Sequence, residues 1–147
     1  MIEYGSIRDG RIFESATPVQ VTSELIAEFC AAIGETNPLY TDSEAAKAGP
    51  HGGLVAPPSL AAIFGDGENI FRHYPEFDTR RLAAGMDVEF VTPIRAGDSI
   101  ATISQVKEVY EKTGRSGPMV FVVISSILKK QNGEIAARIE HRFTNPL

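Results

Sequence analysis

At 147 residues, 43% hydrophobic and 22% charged, the chain fits one soluble globular domain, residues 1–147, with room for a proper core. A net charge of −5 with dispersed Lys and Arg argues against a nucleic-acid partner. The longest apolar run, Met119–Ile124, is far too short to span a membrane, and the acidic N-terminus does not read as a signal peptide. The single cysteine, Cys30, excludes an internal disulfide and fits a reducing cytoplasm.

Residues 1–20 read as an irregular opening with an edge strand near Arg11–Ser15. Thr22 or Ser23 then caps a helix in which Leu25, Ile26, Phe29 and Ile33 recur at helical spacing, and Gly34 stops it. Pro38 has no N–H and disfavours helix at Asn37, so the chain turns there, with Asn37 expected to cap the turn. Asp42 caps a second short helix, Ser43–Ala48, closed by Gly49, and a Gly-rich loop follows to Gly53.

Pro57-Pro58 suits the start of a helix. Leu60, Ala61, Ile63 and Phe64 make it apolar nearly all round, which predicts full burial, and Gly65-Asp66-Gly67 marks its break. The pattern then changes to strands: Asp87–Val91, Ile100–Tyr110 and Val120–Leu128, the last apolar on both faces. Asn132-Gly133 is a hairpin turn. Beyond it Ile135, Ala137, Ile139 and Phe143 alternate with Glu134, Arg138, Glu140 and Arg142. Helices first, long antiparallel strands after, and one helix needing burial predict an α+β hot-dog fold, a curved sheet wrapped around a central helix. The doubly apolar strand predicts that both sheet faces are covered, by dimerisation.

The stretch Gly34-Glu35-Thr36-Asn37-Pro38-Leu39-Tyr40, with Asp42 and Ala45-Ala46 after it, resembles the signature of the MaoC-like hydratase/dehydratase family. That signature reads roughly Gly-Asp-x-Asn-Pro-Leu-His. Gly53–Pro58, Asp87–Phe90 and Pro93–Asp98 match in family order, and Tyr110–Pro118 looks like the N-terminal dehydratase subgroup. The resemblance implies a hot-dog fold and reversible addition of water across the C2–C3 double bond of an acyl thioester on coenzyme A or acyl carrier protein, without metal or cofactor.

It also implies Glu35 and Tyr40 as the catalytic pair and Asn37, Val55 and Ser59 as substrate contacts; His51, in the Gly-rich loop, is read as a substrate contact or a stand-in for the missing imidazole, against a solvent-facing loop histidine. Three positions depart from the pattern. Glu35 keeps the carboxylate with one extra methylene. Tyr40 replaces an imidazole that exchanges protons near neutrality by a phenol that mostly donates. Pro58 falls on or beside the residue whose N–H would polarise the thioester carbonyl, leaving Ser59 as the substitute donor. Two functions follow: a hydro-lyase, or a scaffold that shapes an acyl tunnel and pairs with a second hot-dog chain carrying the Asp/His pair.

Read on their own, Cys30 is core filling, and His73 and His141 are structural, having no partners at metal spacing. Lys112, Arg115, Arg80 and Arg81 are ordinary surface cations or contacts for a carrier's phosphates.

Overall fold

Helix α1 (Ser23–Ile33) begins where expected: the Thr22 hydroxyl accepts the Leu25 N–H at 3.0 Å, and Gly34 ends it at φ +71°. This description covers residues 7–65, 70–77 and 80–147 of a computed structural model. The expected irregular opening before Ile7 and the break at Asp66-Gly67 lie outside the described residues.

Two short strands, β1 (Phe13–Glu14) and β2 (Val19–Gln20), precede α1; only the first is foreseen by the sequence pattern. After it come α2 (Pro38–Thr41) and α3 (Ser43–Lys47), then four long strands: β3 (Leu82–Phe90), β4 (Ser99–Gly114), β5 (Gly117–Lys130) and β6 (Ile135–Pro146). All pair antiparallel in the spatial order β1-β4-β5-β6-β3, with β2 also on β4. This is the hot-dog sheet.

The β5–β6 turn uses Gly133 at φ +88°, as Asn132-Gly133 predicts. The β4–β5 turn closes on Gly114 opposite Gly117, a hairpin that the residues Tyr110–Pro118 conceal from pattern reading.

The central helix departs from expectation. Pro58–Phe64 is a seven-residue 3₁₀ helix that buries Leu60, Ala61 and Phe64 and leaves Ile63 45% exposed. Two prolines supply no N–H at its start, and Leu60 N–H closes instead on the Pro57 carbonyl three residues back, at 2.9 Å. A helix this tight and short has one buried stripe, not an apolar circumference. That stripe meets Val21, Ile26, Cys30, Ile100, Leu128 and Ile139 in one core cluster. A second cluster around Ile70, Phe71, Phe77, Val122 and Ile124 fills the other end of the sheet.

Within one chain the two faces of β5 differ in burial. Val120, Val122, Ile124 and Leu128 of β5 are buried inward, whereas outward Val123 is buried and Met119, Phe121 and Ile127 are half-buried. Among the described residues no second layer lies there. Long side chains from neighbouring strands lie across it instead: Lys112 Nζ sits 5.3 Å from the Tyr110 ring and 5.9 Å from the Phe121 ring, and Arg142 bonds Asp87 at 2.6 Å.

The edge that matters is β3. It pairs only with β6, and its residues are exposed on both faces except Val88. Leu82, Met86 and Phe90 are 63%, 38% and 50% exposed, with Val91 at 46% just beyond. A long apolar edge of this kind is one that proteins do not leave open to water.

Candidate active site

Residues 34–53 are held by local hydrogen bonds. Glu35 N–H bonds back to the Cys30 carbonyl at 2.9 Å, and one carboxylate oxygen, Oε1, accepts from the N–H groups of Thr36 (3.0 Å) and Asn37 (2.9 Å). Asn37 Oδ1 caps α2 by accepting the Leu39 N–H at 3.0 Å, and Pro38 stands at its first position. Asp42 Oδ1 takes the N–H groups of Glu44 and Ala45 to cap α3. Each acidic or amide side chain that the pattern marks is thus engaged with backbone.

Past α3 the chain reverses tightly. Gly52 adopts φ +65°, which favours glycine, and a Cβ at Gly49 would crowd Leu39 Cδ2 at 2.9 Å and the Ala46 carbonyl at 3.3 Å where the loop folds back on α2. The Arg95 side chain donates to the His51 carbonyl and anchors the loop between them.

A cavity of about 270 Å³ opens beside this loop. Tyr40 and His51 line one side; Val55, Ala56, Pro57 and Pro58 form its floor, and Phe90–Ile94 the opposite wall. The lining is mostly apolar, with the phenol, the imidazole and Thr92 as its polar side chains. Tyr40, His51 and Val55 therefore converge. Glu35, Asn37 and Ser59 are not among the lining residues.

The walls are tied together by backbone. Ala56 N–H donates to the Ile94 carbonyl at 2.8 Å, Ala96 N–H to the Leu54 carbonyl at 3.1 Å, and Val55 bridges Arg95 antiparallel. Behind Ile94 sits a buried ion pair. Lys130 Nζ lies 3.0 Å from Asp98 Oδ2 and donates to the Pro93 carbonyl at 2.6 Å; the two side chains are 6% and 10% exposed. Burial pushes the Asp98 carboxyl up, but bonds from Arg95 N–H, Lys130 and Gln131 outweigh it and hold it below the usual range. The sequence marks Pro93–Asp98 as a family match but not this ion pair, whose lysine lies 32 residues away on β5.

Glu35 acts electrostatically on Cys30, which does not line the cavity. Burial first, and the Glu35 carboxylate second, push the Cys30 thiol up, and its Sγ lies 3.7 Å from the Tyr40 carbonyl. Cys30 is a protonated, buried packing residue joining α1 to α2, as its place beside Phe29 predicts. Among the described residues no cluster of three or more His, Cys, Asp or Glu could hold a metal ion, and no helix is long and apolar enough to cross a membrane.

The model of the FAS1-like dehydratase domain region matches residues 10–139. The chain belongs to this family. A UPF0336 protein of Streptomyces coelicolor is 33% identical over 109 residues, covering 71% of this chain and 73% of the relative. Among solved structures, the C-terminally truncated HadBC (3R-hydroxyacyl-ACP dehydratase) complex of Mycobacterium tuberculosis superposes with a TM-score of 0.78 at 22% identity, over 95% of this chain and 97% of that one. The (R)-hydratase of A. caviae superposes with a TM-score of 0.74 at 17% identity, over 97% and 99%. The dehydratase-region family and its MaoC-like structural neighbours are those the Gly34–Tyr40 stretch resembles.

Proposed function

We propose that this dehydratase-region chain takes part in the hydration or dehydration of enoyl- and 3-hydroxyacyl thioesters, as one subunit of a hot-dog pair. The carrying observation is the apolar cavity that Tyr40 and His51 share, because Phe90 contributes both to its wall and to the open edge strand β3. An acyl group of short to medium length suits that volume and lining. In this reading Tyr40 donates a hydrogen bond to the reacting oxygen and Val55 packs the acyl chain. Glu35 and Asn37 stay with the neighbouring backbone, the carboxylate setting the turn that presents Tyr40, and Ser59 faces away from the cavity lining.

The acyl group would arrive on coenzyme A or acyl carrier protein, in the cytoplasm. Lys112 lies over the Tyr110 ring and Arg81 lies 4.0 Å from the Phe71 ring centroid, which leaves Arg80 and Arg115 as the better candidates to meet phosphates. The exposed β3 edge would take a second hot-dog chain, identical or different, and cover Met86 and Phe90 together.

A scaffold role is the second reading, and Glu35 favours it. Its Oε1 already accepts two backbone N–H groups, and no imidazole stands at position 40. A partner carrying an Asp/His pair would then do the proton transfer while this chain holds the acyl tail. Loss of enoyl absorbance from a crotonyl thioester decides between the two. Turnover by the purified chain that disappears in Tyr40→Phe rules out a scaffold. Turnover seen only after a second hot-dog chain is added rules out self-sufficiency.

A further inference from the structure

The motif's own proton-transfer positions are ill placed for the job. Tyr40 is a phenol, and the Glu35 Oε1 is spent on the N–H groups of Thr36 and Asn37. Glu35 also contributes nothing to the cavity lining. Reversible hydration at neutral pH needs one group that both takes and returns a proton, and imidazole is the side chain whose ordinary titration suits this.

One imidazole lines the cavity: His51. It is half-buried, not free in solvent, and its backbone is fixed from two sides. Arg95 holds its carbonyl, and the Gly52 N–H closes on the Gly49 carbonyl at 3.2 Å. Arg95 is itself stitched to Val55 by an antiparallel bridge, so the loop carrying His51 is referenced to the cavity floor. The other described histidines stand elsewhere: His73 packs 5.1 Å from the Phe13 ring, and His141 lies against Met86 and Gly65.

We infer that His51 is a catalytic residue of this cavity, acting as the general base and acid in place of the missing motif imidazole. This rests on the acyl-thioester reading above. In the hydration direction the imidazole removes a proton from water, and the oxygen bonds to C3 of the enoyl thioester. The C2–C3 π pair shifts toward the thioester carbonyl, with the Tyr40 phenol hydrogen-bonded at the reacting oxygen. The imidazolium then gives its proton to C2 and returns to imidazole. One water is added, and no oxidant or cofactor is consumed.

The test is hydration of crotonyl-CoA by the full chain, alone and with any co-purified hot-dog chain, across about pH 5.5 to 9. His51→Gln and His51→Ala are compared with the unaltered protein, with free imidazole added to the second. The expected result is a fall in kcat of roughly 10²-fold or more with KM changed far less, and loss of the acidic limb of the pH profile. Free imidazole should restore part of the His51→Ala rate, a rescue that a folding defect would not allow. If the parent protein turns over while His51→Gln keeps its kcat within about threefold and keeps the acidic limb, the inference fails and the thioester reading stands. If the parent shows no turnover in either setting, the thioester reading fails and takes this one with it.

Discussion

Asp98 and Lys130 form a buried ion pair, 3.0 Å between Oδ2 and Nζ, whose lysine also donates to the Pro93 carbonyl. The pair fastens the β3–β4 turn to the end of β5 at the place where Pro93 and Ile94 wall the cavity. Removing one partner leaves a charge without compensation in a site nearly closed to water, which is costlier than removing both. Lys130→Met should therefore destabilise the fold by about 3–5 kcal/mol in urea titration. Adding Asp98→Asn should recover part of that loss, an interaction visible in a double-mutant cycle.

The same carboxylate sets an acid limit. Its value is lowered in the folded chain, so its contribution is fully present above the ordinary aspartate value of about 3.9 and is lost as pH falls through the lower folded value. Urea midpoints followed downward from about pH 5 should decline less steeply in Asp98→Asn than in the parent protein.

His141 works in a different window. Its ring fills the space beside Gly65, where a Cβ would come 1.9 Å from Cε1, and Nε2 lies 2.8 Å from Met86 Sδ. Burial lowers its value, so the unfolded chain binds the proton more readily. Stability from the neutral ring is complete above about pH 6.5 and falls as pH drops below that. The fall should be visible in thermal melts between about pH 7.5 and 5.5 and absent in His141→Phe. Gly65→Ala should cost about 1–3 kcal/mol by crowding that ring, measured by urea denaturation.

The open edge gives a prediction about assembly. Leu82→Lys places a charge on the exposed start of β3, away from the buried core and the cavity. Sedimentation should then show a smaller species than the parent protein, with circular dichroism unchanged. A parent that sediments as a monomer at all concentrations would refute the pairing.

The caps give the smallest effect. Thr22→Ala and Asp42→Ala each remove a side-chain oxygen bonded to helix N–H groups. Each should lower stability by about 1 kcal/mol, read as a shift in the urea midpoint.

Much of this architecture was legible because it depends on neighbours in sequence. Thr22, Gly34 and Asp42 act within three or four residues of themselves, and all three do what their chemistry predicts. Asn37 was expected to cap a turn, and that turn proves to be one full turn of helix. The central helix was misjudged because counting apolar residues assumes α-helical spacing, and the two prolines wind it as a 3₁₀ helix with Ile63 outward. Within the site, Tyr40, His51 and Val55 were named from sequence and meet in one cavity. The wall at Phe90–Ile94 was not named, because it reaches the cavity only through pairing with residues 54–56, a contact 40 positions away in the chain.

The backbone stitching of those two loops separates shape from chemistry in a useful way. Ala56 to Ile94 and Ala96 to Leu54 are joined by peptide groups alone, so the spacing of the walls is independent of which side chains face inward. Exchanging Val55, Phe90 or Thr92 would change the lining of the cavity while the frame around it keeps its dimensions. Diversification here costs little structure, because the part that varies is not the part that holds.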